Sequence, residues 1–195
     1  MSEEFRMQEY DSSADKPEVV VEGAFEMYEG ARENLNTLTR TGQLLQVGDH
    51  LPEIAGVESG GRPFILHTVN AFGTETCDMC TDELETFQLS HPDVPVFSLT
   101  KQSAEELRAE DEKRAAAGKP PITQSRVTID QETAIDLGVA LAPGEGADPE
   151  FWPTALRRTL ALVDGNGTIV DIQQPDDQEE VPSFTQVYEQ LEALQ

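Results

Sequence analysis

The chain has 195 residues, enough for one domain with a sizeable core, and a formal net charge of −25. Only 13 basic residues accompany 38 acidic ones, and a field of that sign repels nucleic acid and anionic membrane surfaces. These two classes of partner are therefore excluded. The acidic excess is interpreted as a solvated surface, which suits a cytoplasm of high ionic strength.

No apolar run approaches the ~20 residues of a membrane span, and the opening residues MSEEFRMQEY are not expected to form a signal peptide. We expect a soluble, cytoplasmic protein, in which a disulfide is normally transient and catalytic rather than structural. The two cysteines form a single pair with no histidine nearby, and the three histidines are scattered. The sequence therefore predicts no metal or cofactor, and structural roles for the histidines.

The first part of the chain predicts an extension in front of a folded domain. Residues 1–17 are polar and acidic and are predicted to form a mobile tail, with a single domain over residues 18–195. Residues 18–45 are compatible with an added hairpin or a short helix, and the sequence does not decide between them. A Gly/Pro turn then leads into a predicted buried strand, residues 64–69.

From that strand onward, helices and strands alternate. After a short polar loop, the predicted elements are an amphipathic helix, strand 94–99, helix 104–117, strand 126–129, helix 132–138, loop 141–153, hairpin 159–172 and closing helix 183–194. Ser103 and Glu106 predict a capping box at the start of helix 104–117. In the closing helix, apolar residues recur at helical spacing: Phe184, Val187, Leu191 and Leu194. The alternation predicts an α/β domain with helices on both faces of a central sheet.

Both cysteines, Cys77 and Cys80, lie at the start of the first predicted helix. The first amides of a helix have no internal partners, and the helix dipole favours negative charge there. Such a position favours the thiolate, which is the nucleophilic form of cysteine. Thiols three residues apart on a helical turn share a face, at a separation that a disulfide spans. The motif predicts redox chemistry, and its alternative is a pair of buried apolar side chains.

The loop before Cys77 resembles the active-site loop of peroxiredoxins, Pro-x-x-x-Thr-x-x-Cys, because Thr74 lies three residues before the cysteine. The resemblance is strongest to the thiol peroxidase (atypical two-cysteine) subfamily. The segments 138–140 and 156–164 and the closing helix also carry it. It implies a thioredoxin-like α/β fold, a central mixed sheet flanked by helices on both faces with an N-terminal extension, and a homodimer.

The resemblance implies a role for each matching residue. Cys77 is then the cysteine that attacks peroxide, Thr74 its hydrogen-bonding partner, and Arg158, six residues before Asp164, the arginine of the family. Together Thr74 and Arg158 would hold the two peroxide oxygens in line with the sulfur. A plain loop threonine and a surface counter-ion are the alternative interpretations. Strand alternation predicts that the neighbouring Arg157 is on the surface.

The chain departs from the family pattern at two places. The proline of the family loop, seven residues before Cys77, is Asn70 here. The resolving cysteine of the subfamily lies on the next helix, and residues 103–117 contain no cysteine. The resemblance then leaves Cys80 as the candidate resolving thiol, with local unwinding of the helix needed for it to reach Cys77.

The leading hypothesis is a thiol-dependent peroxidase that reduces hydrogen peroxide or organic hydroperoxides and is recycled by a thioredoxin-type donor. A thioredoxin-like thiol–disulfide oxidoreductase is the second hypothesis, because Cys-x-x-Cys at a helix start is also typical of that family. Two features count against this second hypothesis. The usual aromatic-Cys-Gly-Pro-Cys loop is absent, and Pro153 lies five residues before Arg158 rather than directly at the start of the strand. A slow-turnover redox sensor is the third hypothesis.

Overall fold

The structure is a computed structural model, and it describes residues 39–40, 44–70, 75–142, 155–175 and 181–194. The predicted tail, residues 1–17, and most of the undecided segment 18–45 lie outside these ranges. Thr74 lies outside them as well.

The described elements alternate largely as the sequence predicts. In chain order they are β1 (Thr39–Arg40), β2 (Phe64–Thr68), α1 (Glu75–Ser90), β3 (Val96–Thr100), α2 (Ala104–Ala116), β4 (Ser125–Thr128), α3 (Gln131–Asp136), β5 (Ala140–Ala142), β6 (Ala155–Leu156), β7 (Leu160–Val163), β8 (Ile169–Gln173) and α4 (Phe184–Glu192). None of the helices in the described ranges is long and apolar enough to cross a membrane.

The main sheet has five strands in the order β4-β3-β2-β7-β8. Strands β2, β3 and β4 are parallel and are connected by α1 and α2, whereas β7 runs antiparallel to β2 and to β8. The predicted central mixed sheet is confirmed. Strand β2 lies at its centre, so that α1 begins beyond the carboxyl end of a buried strand, the usual position of a functional site in an α/β sheet.

A smaller sheet lies beside the first, in the order β1-β5-β6 with antiparallel pairing. Its strands were not predicted: residues 141–142 were assigned to a loop, and β1 falls in the undecided segment. Two- and three-residue strands carry almost no periodic signal, and their pairing depends on partners far away in the sequence.

Apolar side chains cover both faces of the main sheet, as the prediction of helices on both faces requires. On one face, α1 and α4 pack against alternate residues of β2 and β7: Cys80, Leu84, Phe87, Phe184, Val187 and Leu191 meet Ile65, Leu160 and Leu162. On the other face, Ala134 of α3 and Leu137, just after its end, pack against residues that include Phe64, Leu66, Ala161 and Val163. The closing helix is shorter than the predicted range 183–194, since α4 ends at Glu192, and Leu194 is 39% exposed.

Two local motifs predicted from the sequence are confirmed. The Ser103 hydroxyl accepts a hydrogen bond from the Glu106 amide at 3.3 Å, and the Glu106 carboxylate accepts one from the Ser103 amide at 2.6 Å. In the β7–β8 turn, the Asp164 carboxylate accepts bonds from the amides of Asn166 and Thr168, each at 2.8 Å. Gly167 has φ = 86° there, a value that favours glycine.

We expect the two leucines of α1 to differ sharply in their contribution to stability. Leu84 is 0% exposed and Leu89 is 80% exposed. Leu84→Ala should lower the free energy of unfolding by ~2–5 kcal/mol because it leaves a cavity in the core, whereas Leu89→Ala should change it by less than ~0.5 kcal/mol. Urea unfolding followed by circular dichroism measures both. Equal effects of the two variants would contradict the described packing of α1.

Candidate active site

The two cysteines occupy different surroundings on the first turns of α1. Both are free thiols. Cys77 packs in a small cluster with Val69 and Leu107, whereas Cys80 belongs to the larger core cluster under α1 and α4. Cys77 is 8% exposed and Cys80 is 1% exposed. One helix therefore carries two sulfurs with different packing and different access to solvent.

Arg158 lies between β6 and β7 and is buried. Its Nη1 atom donates to Cys80 Sγ at 3.9 Å. The family resemblance predicts that Arg158 lies near Cys77, and the contact that the structure describes is with the second cysteine. The structure thus brings Arg158 to the Cys-x-x-Cys turn. Its role toward Cys77, like that of Thr74, stays a prediction.

Burial dominates the electrostatics of Cys80. It raises the pKa of the Cys80 thiol to about 11, even though the charge of Arg158 acts in the opposite direction and lowers it. The neighbouring Cys77 contributes a further, smaller increase. Cys80 is therefore a protonated thiol near neutral pH. The expectation that a helix start favours the thiolate is wrong for Cys80, because desolvation penalises the charged form more than the guanidinium favours it.

His67, which the sequence assigned only a structural role, is buried in β2 close enough to Arg158 to be affected by its charge. Burial, and secondarily the Arg158 charge, lower the pKa of His67 to about 3. Its Nδ1 atom has no hydrogen-bond partner within the described ranges. The imidazole is thus a neutral group beside a buried cation. The burial of His67 could have been predicted from its place in an apolar strand, two residues after the inward-facing Ile65.

The expected surface position of Arg157 is wrong. Arg157 is 4% exposed, and its Nη2 atom donates to the carbonyl of Gln174. Strand alternation fails here because residues 157–159 lie between β6 and β7, where the chain passes from one sheet to the other. The Arg157 amide also donates to the Val139 carbonyl at 2.5 Å.

Asn70, at the position of the family proline, makes a specific contact. Its Oδ1 atom accepts a hydrogen bond from the Leu156 amide at 2.7 Å. Proline has no side-chain acceptor, so this contact belongs to the asparagine of this chain. It connects the end of β2, just before the cysteine helix, to the strand that leads into Arg158.

Ion pairs hold the first turns of α1 against the end of α2. Lys119 Nζ lies 2.7 Å from Asp78 Oδ2, and the buried Arg114 lies 3.0 Å from Asp82 Oδ1 and 3.7 Å from Asp78 Oδ2. Asp78 stands between the two cysteines in the sequence. Rearrangement of the Cys-x-x-Cys turn therefore has to disturb these pairs.

Among the residues that the structure describes, no group of three or more His, Cys, Asp or Glu side chains is placed to hold a metal ion. At the start of α1, the Arg158 guanidinium contacts the Cys80 sulfur, and the Cys77 thiol lies three residues earlier on the same helix. Such a set supports thiol chemistry assisted by a fixed positive charge.

Comparison with solved structures identifies the fold. The chain is similar to a peroxiredoxin-like protein from Aquifex aeolicus, with a TM-score of 0.64 and 18% identity over 80% of this chain and 92% of that one. A thiol peroxidase from Chromobacterium violaceum gives 0.62 and 15%, over 80% and 91%. AhpC from Enterococcus faecalis gives 0.58 and 16%, over 75% and 90%. No family model and no curated protein matches the chain.

These likenesses show that the chain has the thioredoxin-like fold of peroxiredoxins, which confirms the predicted fold class. The identities are low, so they establish the architecture and leave the activity to be argued from the site itself.

We expect His67 to control part of the acid sensitivity of the fold. Below pH ~6.5 an unfolded histidine binds a proton, whereas folded His67 stays neutral until pH falls to about 3. The low pKa of folded His67 therefore costs the protein no stability above the pKa of the unfolded histidine. As pH falls from that value toward the folded pKa, the free energy of unfolding decreases by up to ~1.4 kcal/mol per pH unit. His67→Leu should remove this component.

The measurement is the free energy of urea unfolding at several pH values between ~3 and ~7. His91→Leu is the matched histidine-to-leucine control, at a position that is only partly buried. An unchanged slope in His67→Leu would show that His67 does not remain neutral in the folded protein.

Proposed function

We propose that this protein is a thiol-dependent peroxidase that reduces hydrogen peroxide or organic hydroperoxides through Cys77. One observation carries the proposal: in a peroxiredoxin fold, the buried Arg158 guanidinium lies at the turn that holds the two free cysteines, 3.9 Å from the Cys80 sulfur. A fixed cation at this place favours negative charge on sulfur and on a departing oxygen.

In the first step, the Cys77 thiolate attacks one oxygen of the peroxide. The sulfur–oxygen bond forms as the O–O bond breaks, and the departing alkoxide or hydroxide takes up a proton to give an alcohol or water. Cys77 is oxidised by two electrons to the sulfenic acid, and the peroxide is reduced by the same two. Arg158, with Thr74, is proposed to position the peroxide oxygens for this attack.

In the second step, the sulfur of Cys80 attacks the sulfenic sulfur of Cys77. The hydroxyl leaves as water, the proton coming from the Cys80 thiol, and a Cys77–Cys80 disulfide forms. A thioredoxin-type dithiol then reduces the disulfide by exchange, which restores both thiols and leaves the donor oxidised. A cytoplasmic location and a homodimer complete the proposal.

The assignment of the two roles is supported by the different surroundings of the sulfurs. Cys77 has the greater exposure, whereas Cys80 is 1% exposed and burial raises its pKa to about 11. A nucleophile for an external substrate needs both access and thiolate character. Cys80 lacks both in this structure, so we assign it the later step.

The test follows peroxide consumption with a thioredoxin reducing system for the native protein and two variants. Cys77→Ser should consume no peroxide, because the attacking sulfur is gone. Cys80→Ser should consume one equivalent per chain and then stop, because the sulfenic acid forms but no disulfide follows. Equal single turnovers by both variants would overturn the role assignment.

The same preparation separates the alternative functions. Reduction of insulin disulfides without peroxide consumption would favour a thioredoxin-like oxidoreductase, for which the Cys-x-x-Cys spacing is the supporting feature. Stoichiometric oxidation without turnover in the presence of the reducing system would favour a redox sensor.

The proposed second step requires the first turn of α1 to rearrange, since Cys77 and Cys80 pack in separate clusters. The Lys119–Asp78 pair opposes that rearrangement, with a contribution of ~0.2–1 kcal/mol for a partly exposed pair. Lys119→Met should therefore accelerate disulfide formation by about 1.4- to fivefold.

The measurement is the rate of disulfide formation after one equivalent of peroxide, by acid quench, thiol alkylation and mass spectrometry. Lys113→Met is the matched control, because Lys113 pairs at 2.6 Å with Glu110 on α2, within one helix. A rate for Lys119→Met no faster than that of Lys113→Met would show that the Asp78 pair does not restrain the turn.

A further inference from the structure

The regular pairing of β2 with β7 ends one residue before a cluster of side-chain hydrogen bonds. The ladder extends from Phe64 opposite Val163 to His67 opposite Leu160. At the next position, the Thr68 amide still donates to the Thr159 carbonyl at 3.0 Å. Beyond it, side chains of β2 and its continuation contact the opposing backbone.

The Thr68 hydroxyl uses both of its hydrogen-bonding capacities. It donates to the Arg157 carbonyl at 2.5 Å and accepts from the Thr159 amide at 2.8 Å. Thr68 is buried, so water does not readily replace these partners. The backbone on both sides of Arg158 is thus held by a single hydroxyl group.

Asn70 adds a third fixed point on the same segment. Its Oδ1 atom holds the Leu156 amide, two residues before Arg158, at 2.7 Å. Residues 157–159 belong to neither β6 nor β7, so no regular ladder sets their backbone angles. The direction in which the Arg158 side chain leaves the backbone depends on these angles. The side chains of Thr68, at the end of β2, and Asn70, just after it, restrain them together with the Arg157 amide bond to the Val139 carbonyl.

We propose that Thr68 and Asn70 are positioning residues, with Thr68 the principal one, that hold Arg158 against the Cys-x-x-Cys turn of α1. The inference rests on the proposed function only in that Arg158 serves the reacting thiols. It gives the departure from the family proline a physical purpose: Asn70 supplies an acceptor that orients the strand carrying the arginine.

The test measures the rate of Cys80 alkylation by iodoacetamide at pH ~9 in full-length Cys77→Ser protein. The Arg158 charge lowers the pKa of Cys80, so Arg158→Met should reduce the thiolate fraction and slow alkylation about tenfold, which corresponds to one pKa unit. Thr68→Val, which keeps the shape and removes the hydroxyl, should slow it about three- to tenfold. Thr68→Ser, which keeps the hydroxyl, should react at nearly the parent rate.

A double-mutant cycle shows whether Thr68 acts through Arg158. In the Arg158→Met background, Thr68→Val should cause no further slowing, because the charge that it positions is absent. Thr128→Val is the matched control: its hydroxyl donates to the Gln102 carbonyl at 2.8 Å at the end of β4, far along the sheet from Arg158. In this control variant, Cys80 should be alkylated at the parent rate.

Loosening of the fold alone would have the opposite sign, since exposing a buried thiol accelerates alkylation. Alkylation of Thr68→Val at or above the rate of the Thr128→Val control would overturn the proposal, as would additive effects in the cycle. Asn70→Ala is a milder second variant that removes one acceptor from a half-buried site, with an expected slowing of about twofold. An unchanged or faster rate would remove Asn70 from the proposal.

The experiment uses no peroxide, so its result is separate from that of the proposed function. A non-additive cycle in a protein that consumes no peroxide would support the positioning role and reject the peroxidase. Peroxide turnover together with an additive cycle would support the peroxidase and reject the positioning role.

Discussion

The approach of the buried Arg158 guanidinium to the sulfur of Cys80 is the interaction on which the candidate site depends. Removing a cation from water is costly, and such a charge persists only where surrounding groups fix it and complement it. Here the connection between β6 and β7 supplies the backbone, and the start of α1 supplies polarisable sulfur. The central position of β2 brings these two parts of the chain together, because β2 precedes α1 and also pairs with β7.

One cation affects two titratable groups that face it from different elements. It lowers the pKa of Cys80 and that of His67, although burial is the larger influence on each. The outcomes differ because burial always disfavours the charged form: it keeps the thiol protonated and the imidazole unprotonated. Near neutral pH both groups are therefore neutral, and Arg158 is the fixed charge that acts on both.

The parts of the fold that could be predicted from the sequence depend on local signals. The capping box at Ser103, the β7–β8 hairpin and the helix that begins near Cys77 each follow from patterns within a few residues. The cysteines and Arg158 were identified through spacing and family resemblance, and the structure brings them together. That Arg158 contacts Cys80 depends on side-chain packing across two elements, which no spacing rule specifies.

What was missed depends on partners distant in the sequence. Arg157 was assigned to the surface because alternation was extended through a segment that changes sheets. Asn70 was only a departure from a pattern until its contact with Leu156, 86 residues away, gave it a role. The short strands β1, β5 and β6 pair with one another across long stretches of sequence. Each is too short to show a periodic hydrophobic pattern of its own.

The scarcity of basic residues has a consequence for how the protein responds to its medium. Of 13 basic residues in the chain, three arginines in the described ranges, Arg114, Arg157 and Arg158, are buried. Added electrolyte screens the repulsion between exposed carboxylates that are farther apart than a Debye length, ~10 Å at 0.1 M, but it screens buried charges far less. Ionic strength therefore acts mainly on the outer shell of this molecule. Salt should therefore change the stability of the fold, through repulsion among the exposed carboxylates. It should have much less effect on the reactivity of the thiols, which depends on the buried Arg158.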